Sequence, residues 1–269
     1  MMKPLVGATL GSMASLMARL TVKLTLSLTA CLMAAGSVMA AEINVMSAGA
    51  ARAAVEPLVR EFEKSSGHKV TISFGTMGLI QEKLGKGEKA DVLIVAAEIA
   101  DSMQKNHVID AATRQPLAKV GVGVAVAASA AAPDISTPEA FKQTLLNAKS
   151  IVMIDPARGT SGKHLVEVYA RLGITEVLKA KMQYGEGGYI VAPVGEGKVE
   201  LGLHQISEIL PVRGVKLVGP LPEALQKWTV YTAAITPGST AAAAARELIA
   251  FLSSAQAAPV YAAKGFVKP

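Results

Sequence analysis

The chain has 269 residues, 51% of them hydrophobic, and carries 27 Lys and Arg against 21 Asp and Glu for a formal charge of +6. Three of those cations (Lys3, Arg19 and Lys23) precede the first acid, Glu42, so the rest of the chain is nearly balanced. With no basic run interleaved with aromatics, this argues against a nucleic-acid partner.

In chain order, the first feature is an export signal. After Lys23 comes the apolar run Leu24 to Ala35, then Gly36-Ser37-Val38-Met39-Ala40-Ala41. A basic region, a short hydrophobic region and small residues at a Val-x-Ala site are the parts of a signal peptide, expected over residues 1–40. The run is shorter than the roughly 18–20 apolar residues of a spanning helix. The basic region is long, and Met13 and Met17 offer alternative starts. Leu28-Thr29-Ala30-Cys31 has the form of a lipoprotein box, but the apolar Leu32-Met33-Ala34-Ala35 stands where a polar tether is usual. A soluble periplasmic protein is therefore expected over one lipid-anchored at Cys31. Cleavage after Ala40 removes Cys31, the single cysteine, and with it any disulfide, paired-cysteine metal site or thiol nucleophile.

The remainder alternates short β-branched runs with helical stretches. Ile43–Met46 predicts a strand and Ala51–Ser66 a helix stopped at Gly67. Val70–Phe74 predicts a second strand, leading through Gly75-Thr76-Met77-Gly78 to a helix at Leu79–Leu84. Val92–Val95, a continuous apolar run, fits the middle of a parallel sheet. Val120–Ala127 predicts one long strand and Ile151–Ile154 another, followed by Asp155-Pro156-Ala157-Arg158-Gly159-Thr160-Ser161-Gly162 and a helix over Lys163–Leu172. Leu201–His204, Val215–Val218 and Trp228–Ile235 complete the strands, and Ser239–Ser254 predicts an amphipathic helix. Repeated strand–loop–helix units imply an α/β fold, in which ligands sit beyond the carboxyl ends of the strands.

Three strand-to-helix loops share a character: Ser47-Ala48-Gly49-Ala50, Gly75-Thr76-Met77-Gly78 and Gly159-Thr160-Ser161-Gly162. Gly185-Glu186-Gly187-Gly188 is a fourth of similar composition. Small residues let a ligand approach the backbone, and helix N-termini offer free N–H groups with partial positive charge. Singly, each loop reads as turns and N-caps; together they predict an anion site without a metal.

Glu42-Ile43-Asn44-Val45-Met46-Ser47-Ala48-Gly49-Ala50, Phe62-Glu63-Lys64-Ser65-Ser66-Gly67, Phe74-Gly75-Thr76-Met77-Gly78 and Lys89-Ala90-Asp91-Val92-Leu93-Ile94 follow one another in an order that resembles the periplasmic molybdate-binding proteins of ABC transporters. The likeness runs on through Ile109-Asp110-Ala111-Ala112-Thr113-Arg114 and Asp155-Pro156 to Leu201-Gly202. It implies a type-2 periplasmic binding fold, two α/β lobes closing on a ligand. Lobe 1 is expected over residues 42–120 plus 235–269 and lobe 2 over 121–234. The resemblance also implies a monomer without cofactor or metal, delivering a small anion to a membrane permease.

The departures from that pattern bear on the ligand. Where the resemblance places serine hydroxyls, this chain has Ala50 and, beside Thr76, Met77; where it places a tyrosine hydroxyl, this chain has Gln205. Ser161 and Gly187 fall where backbone N–H groups serve. An oxyanion stripped of water needs well-placed donors, so molybdate is disfavoured, with Ser47, Thr76 and Ser161 as a rearranged alternative set. Arg52, Arg158 and Lys163 instead suggest an organic carboxylate, because guanidinium groups match carboxylates in bidentate fashion. Arg52 and Lys163 read equally as solvated helix positions, His204 as a core histidine and Tyr189 as packing. Ligand contacts are thus expected from Ser47, Ala50, Arg52, Thr76, Met77, Arg158, Thr160, Ser161, Gly187 and Gln205.

Gln205-Ile206-Ser207-Glu208-Ile209-Leu210-Pro211 and Val218-Gly219-Pro220-Leu221-Pro222 resemble a side branch of these proteins that includes an isomerase of cis- and trans-aconitate. That alternative requires an allylic proton shift and a base, for which His204, Tyr189 and Lys163 are candidates. Other chemistry fits poorly. Gly159-Thr160-Ser161-Gly162-Lys163-His164 departs from a phosphate loop at Ala157 and His164, there is no Gly-x-Ser-x-Gly elbow, and His68, His107, His164 and His204 lack metal-ligand spacing.

Overall fold

The computed structural model describes residues 40–269. All but the last residue of the expected leader, with Cys31, lies outside them.

The elements in chain order are β1 (Glu42–Ala48), α1 (Arg52–Ser66), β2 (Lys69–Gly75), α2 (Met77–Gly85), β3 (Val92–Ala96), α3 (Ala97–Lys105), β4 (Gln115–Val120) and β5 (Val122–Ala127). There follow α4 (Pro138–Asn147), β6 (Ile151–Ile154), α5 (Thr160–Leu172), α6 (Thr175–Lys179), β7 (Met182–Gly185), α7 (Ala192–Gly195) and β8 (Leu201–Gln205). The chain ends with α8 (Ile206–Ile209), β9 (Val215–Pro220), β10 (Thr229–Ile235), α9 (Ala242–Leu252) and α10 (Ala258–Ala263).

Two five-stranded mixed sheets result, ordered β2-β1-β3-β10-β4 and β7-β6-β8-β5-β9. In each, the central strands run parallel (β1 with β2 and β3, β6 with β7 and β8), while β10 and β5 enter antiparallel. Each sheet carries its own core, which makes two α/β lobes. In lobe 1, α1 buries Ala54, Val55, Leu58, Val59 and Phe62, a helical period, in the same apolar core as Val92, Leu93 and Ile94 of β3. The helix stops where Gly67 turns left-handed at φ 76°. In lobe 2, Phe141 and Leu145 of α4 and Leu165 and Val168 of α5 close over Met153 and Leu203.

The strand expected over Val120–Ala127 crosses a boundary: Val120 ends β4, whose earlier residues Gln115–Lys119 were not expected, and Val122–Ala127 is β5. Gly121 divides them, and β4 belongs to lobe 1 while β5 belongs to lobe 2. The return passage lies between β9 and β10. The strand expected over Trp228–Ile235 therefore belongs to lobe 1, and the passage precedes Thr229 instead of falling at Ile235. The two passages are tied side by side: the Gln226 amide pairs with both the N–H and the C=O of Val122, each at 2.9 Å. A Cβ at Gly121 would come within 2.9 Å of that amide nitrogen, so the glycine permits the tie.

The sequence reading missed α3, α4, the short helices α6, α7, α8 and α10, and the edge strand β7. It also started α5 three residues late, at Lys163 instead of Thr160. That difference matters, because it puts the N–H groups of Thr160 and Ser161 in the first turn of a helix.

Candidate functional site

The carboxyl ends of β1 and β2 face those of β6, β7 and β8 across a cleft of about 530 Å³. The lobes touch at its edge. The Gly78 N–H donates to the Arg158 carbonyl at 3.3 Å, and a Cβ at Gly187 would lie 2.9 Å from Cγ2 of Thr76.

Lobe 1 contributes an apolar wall and one cation. Ala48, Gly49, Ala50, Thr76 and Met77 line the cleft. The Thr76 hydroxyl is engaged as N-cap of α2, accepting from the Leu79 N–H at 3.2 Å. Arg52 opens α1 with its guanidinium 4.5 Å from the centroid of the Phe74 ring, a cation–π contact that holds the charge over the mouth.

Lobe 2 contributes backbone donors. Gly159 is the N-cap of α5 and supplies no side-chain cap, so the first-turn N–H groups face the cleft lined by Thr160 and Ser161. The helix start is set by close packing: a Cβ on Gly162 would fall 2.3 Å from the Ile154 carbonyl oxygen, and one on Gly159 would fall 2.7 Å from Ile154 Cγ1. Arg158 lines the same wall, exposed and 3.7 Å from the still more exposed Glu186.

The buried end of the cleft holds a charged pair. His204 Nε2 lies 3.1 Å from Glu208 Oε2 and 3.1 Å from the Gly188 carbonyl. Both partners only accept, so Nε2 carries the proton. The side chains are 3% and 8% exposed. Burial works against a charged imidazole, but the Glu208 carboxylate, the hydrogen bond to it and the Gly188 carbonyl outweigh burial and raise the His204 pKa above its ordinary value. His204 Nδ1 has no partner among the described residues. Ser207, between them in sequence, donates to the Ala50 carbonyl at 2.7 Å, which fixes α8 against the first loop of lobe 1. Tyr231 of β10 also lines this end. Burial, then the Glu208 charge, raise its phenol pKa well above the usual range, with Thr160 pulling weakly the other way.

Of the residues singled out in sequence, Ala50, Arg52, Thr76, Met77, Arg158, Thr160, Ser161, Gly187, Tyr189, His204 and Gln205 line the cleft. Two do not. Ser47 is fully buried and its hydroxyl donates to the Ala48 carbonyl at 3.3 Å, because β1 turns that side chain away from the opening. Lys163 is exposed and outside the lining, since it sits on the outward side of the first turn of α5. Glu208, Tyr231 and Phe74 were missed. The spacing of Glu208, four residues after His204, was the available signal. No group of three or more metal-ligating side chains occurs among the described residues.

Two α/β lobes with a cleft at the strand ends, free helix N–H groups and cations on both walls define the class of two-lobed solute-binding proteins. The family model for bacterial extracellular solute-binding proteins matches residues 43–267, and the chain belongs to that family. Among curated relatives, an aconitate isomerase from a Pseudomonas species is 32% identical over 236 residues, spanning 84% of this chain and 89% of the relative. The molybdate-binding protein ModA of Escherichia coli K12 is 27% identical over 237 residues, covering 86% and 92%. The Azotobacter vinelandii periplasmic molybdate-binding protein superposes with a TM-score of 0.71 at 20% identity, covering 84% of this chain and 99% of that one. The fold is the type-2 periplasmic binding fold.

Proposed function

We propose that the protein works in the periplasm as the solute-binding component of an ABC-type importer, and that its ligand is a small organic polycarboxylate and not molybdate. The donor set carries this reading. Arg52 from one wall and Arg158 from the other, together with the first turn of α5, supply positive character. Ala50 and Met77 stand where hydroxyl donors to a tetrahedral oxyanion would be needed. Guanidinium groups suit planar carboxylates, and methyl and thioether groups leave an oxyanion unsolvated. Titrating the purified protein with di- and tricarboxylates and with molybdate tests the reading: saturable carboxylate binding supports it, and preferential molybdate binding defeats it.

A second reading, aconitate isomerase, is favoured by the buried His204–Glu208 pair and by the isomerase relative. In that reaction a base takes a proton from the methylene carbon. The double bond shifts through an enolate stabilised by carboxylate-binding cations, and the proton returns to the far alkene carbon, so no other reactant is consumed. Lys163 is too far outside the cleft to serve, which leaves His204, Tyr189 and the carboxylate as candidate bases. Incubation with cis-aconitate and chromatography of the products separates the readings. Catalytic formation of the trans isomer establishes the enzyme, and binding without turnover leaves the carrier.

A further inference from the structure

Beside the Nδ1 of His204, the buried end of the cleft presents two oxygen acceptors, an unusual feature in an anion-binding site. Glu208 is 6% exposed and borders the opening. Its Oε2 is taken by His204, whereas Oε1 accepts no hydrogen bond from the described residues and faces Gly49, whose Cβ, if it had one, would lie 3.3 Å away. Next to it, Gln205 is 2% exposed and donates its Nε2 to Thr229 at 3.2 Å, leaving Oε1 buried and unpaired. Gln205 can turn its amide over and offer a donor, but a carboxylate cannot, so the fixed demand comes from Glu208.

A ligand carboxylate set against Glu208 would bring two like charges together at the inner end of the cleft, an unfavourable arrangement. A hydroxyl there donates a charge-assisted O–H···O⁻ bond and leaves the ligand's carboxylates to Arg52, Arg158 and the first turn of α5. From this, and resting on the polycarboxylate reading above, we infer that the preferred ligand is a hydroxylated polycarboxylate whose alcohol donates to Oε1 of Glu208 while its carboxylates meet the cationic mouth. A site built around a substrate hydroxyl discriminates strongly against the analogue that lacks it, because the buried acceptor is then left unpaired.

Matched acids that differ only in the hydroxyl test this directly: citrate against tricarballylate, and malate against succinate, titrated calorimetrically into the wild-type protein at one ionic strength. Within the pair that binds, the hydroxy acid is expected to be about 10- to 100-fold tighter, the range of a hydrogen bond to a charged group. In Glu208→Gln the ratio is expected to fall to a few-fold, through weaker hydroxy-acid binding and stronger binding of the plain acid. Equal affinities within the wild-type pairs overturn the inference but leave the polycarboxylate reading standing, as does a ratio that Glu208→Gln leaves unchanged. Binding of none of the four acids overturns the reading on which the inference rests. The wild-type pairs decide the matter even where the variant does not fold.

Discussion

Replacing His204 with leucine leaves the Glu208 carboxylate buried without a counter-charge. The two side chains are 3% and 8% exposed, so both charges are largely removed from water. Removing one partner of such a pair costs about 3–5 kcal/mol. A chain of this size loses about 2–4 °C of Tm per kcal/mol, so a fall of about 6–20 °C is expected. The reverse change, Glu208→Gln, leaves a neutral imidazole that still donates to the Gly188 carbonyl and should cost only about 1 kcal/mol. The double variant His204→Leu/Glu208→Leu removes both charges and should recover much of the loss. Thermal unfolding by circular dichroism at pH 7 measures all three. A His204→Leu variant within about 1 kcal/mol of wild type, or a Glu208→Gln variant as unstable as His204→Leu, would refute the reasoning.

The same pair sets a pH dependence. Because the folded pKa of His204 is raised above 6.5, its contribution is complete below that value and is lost as pH rises through the raised one. Denaturant titrations from mildly acidic to alkaline pH should show this decline, and Glu208→Gln should reverse it, because burial of His204 then outweighs the Gly188 carbonyl and holds the pKa below its ordinary value. His164, whose pKa is lowered chiefly by burial, destabilises the fold as pH drops below 6.5; Glu208→Gln leaves it untouched, so the comparison isolates His204. Gly162→Ala drives a Cβ to 2.3 Å from the Ile154 carbonyl oxygen. It should cost about 2 kcal/mol or more and displace the first turn of α5, read as a lower denaturation midpoint together with lost ligand affinity. Arg52→Ala should weaken polycarboxylate binding about 10-fold or more by calorimetry and, the side chain being exposed, leave Tm nearly unchanged.

Legibility in the sequence followed burial. Val92–Val95 and Ile151–Ile154 are continuous apolar runs because they are covered on both faces, and they were readable as central strands. β7 lies at a sheet edge with Gln183 and Tyr184 exposed, so it carries no apolar signal. β4 holds Pro116 at an edge, where a proline is tolerated but conceals the strand. The strand read at Val120–Ala127 joined the last residue of β4 to β5, because the change of sheet happens at a single glycine between apolar neighbours. The loops at the strand ends were legible because glycine and hydroxyl residues mark them. Tyr231 was not, since it arrives from β10 on the return to lobe 1, and only the three-dimensional path sets it beside Glu208. Ser47 shows the opposite error: residue type and place in the loop suited a ligand contact, but β1 turns it inward.

The central claim, that the cleft holds an organic polycarboxylate, is tested most directly by calorimetric titration of the wild-type protein with citrate, tricarballylate, trans-aconitate and molybdate under identical conditions. The account predicts one-to-one saturable heat with at least one carboxylate, lost in the Arg52→Ala/Arg158→Ala variant, and none with molybdate. Saturable molybdate binding that the carboxylates fail to displace would contradict it.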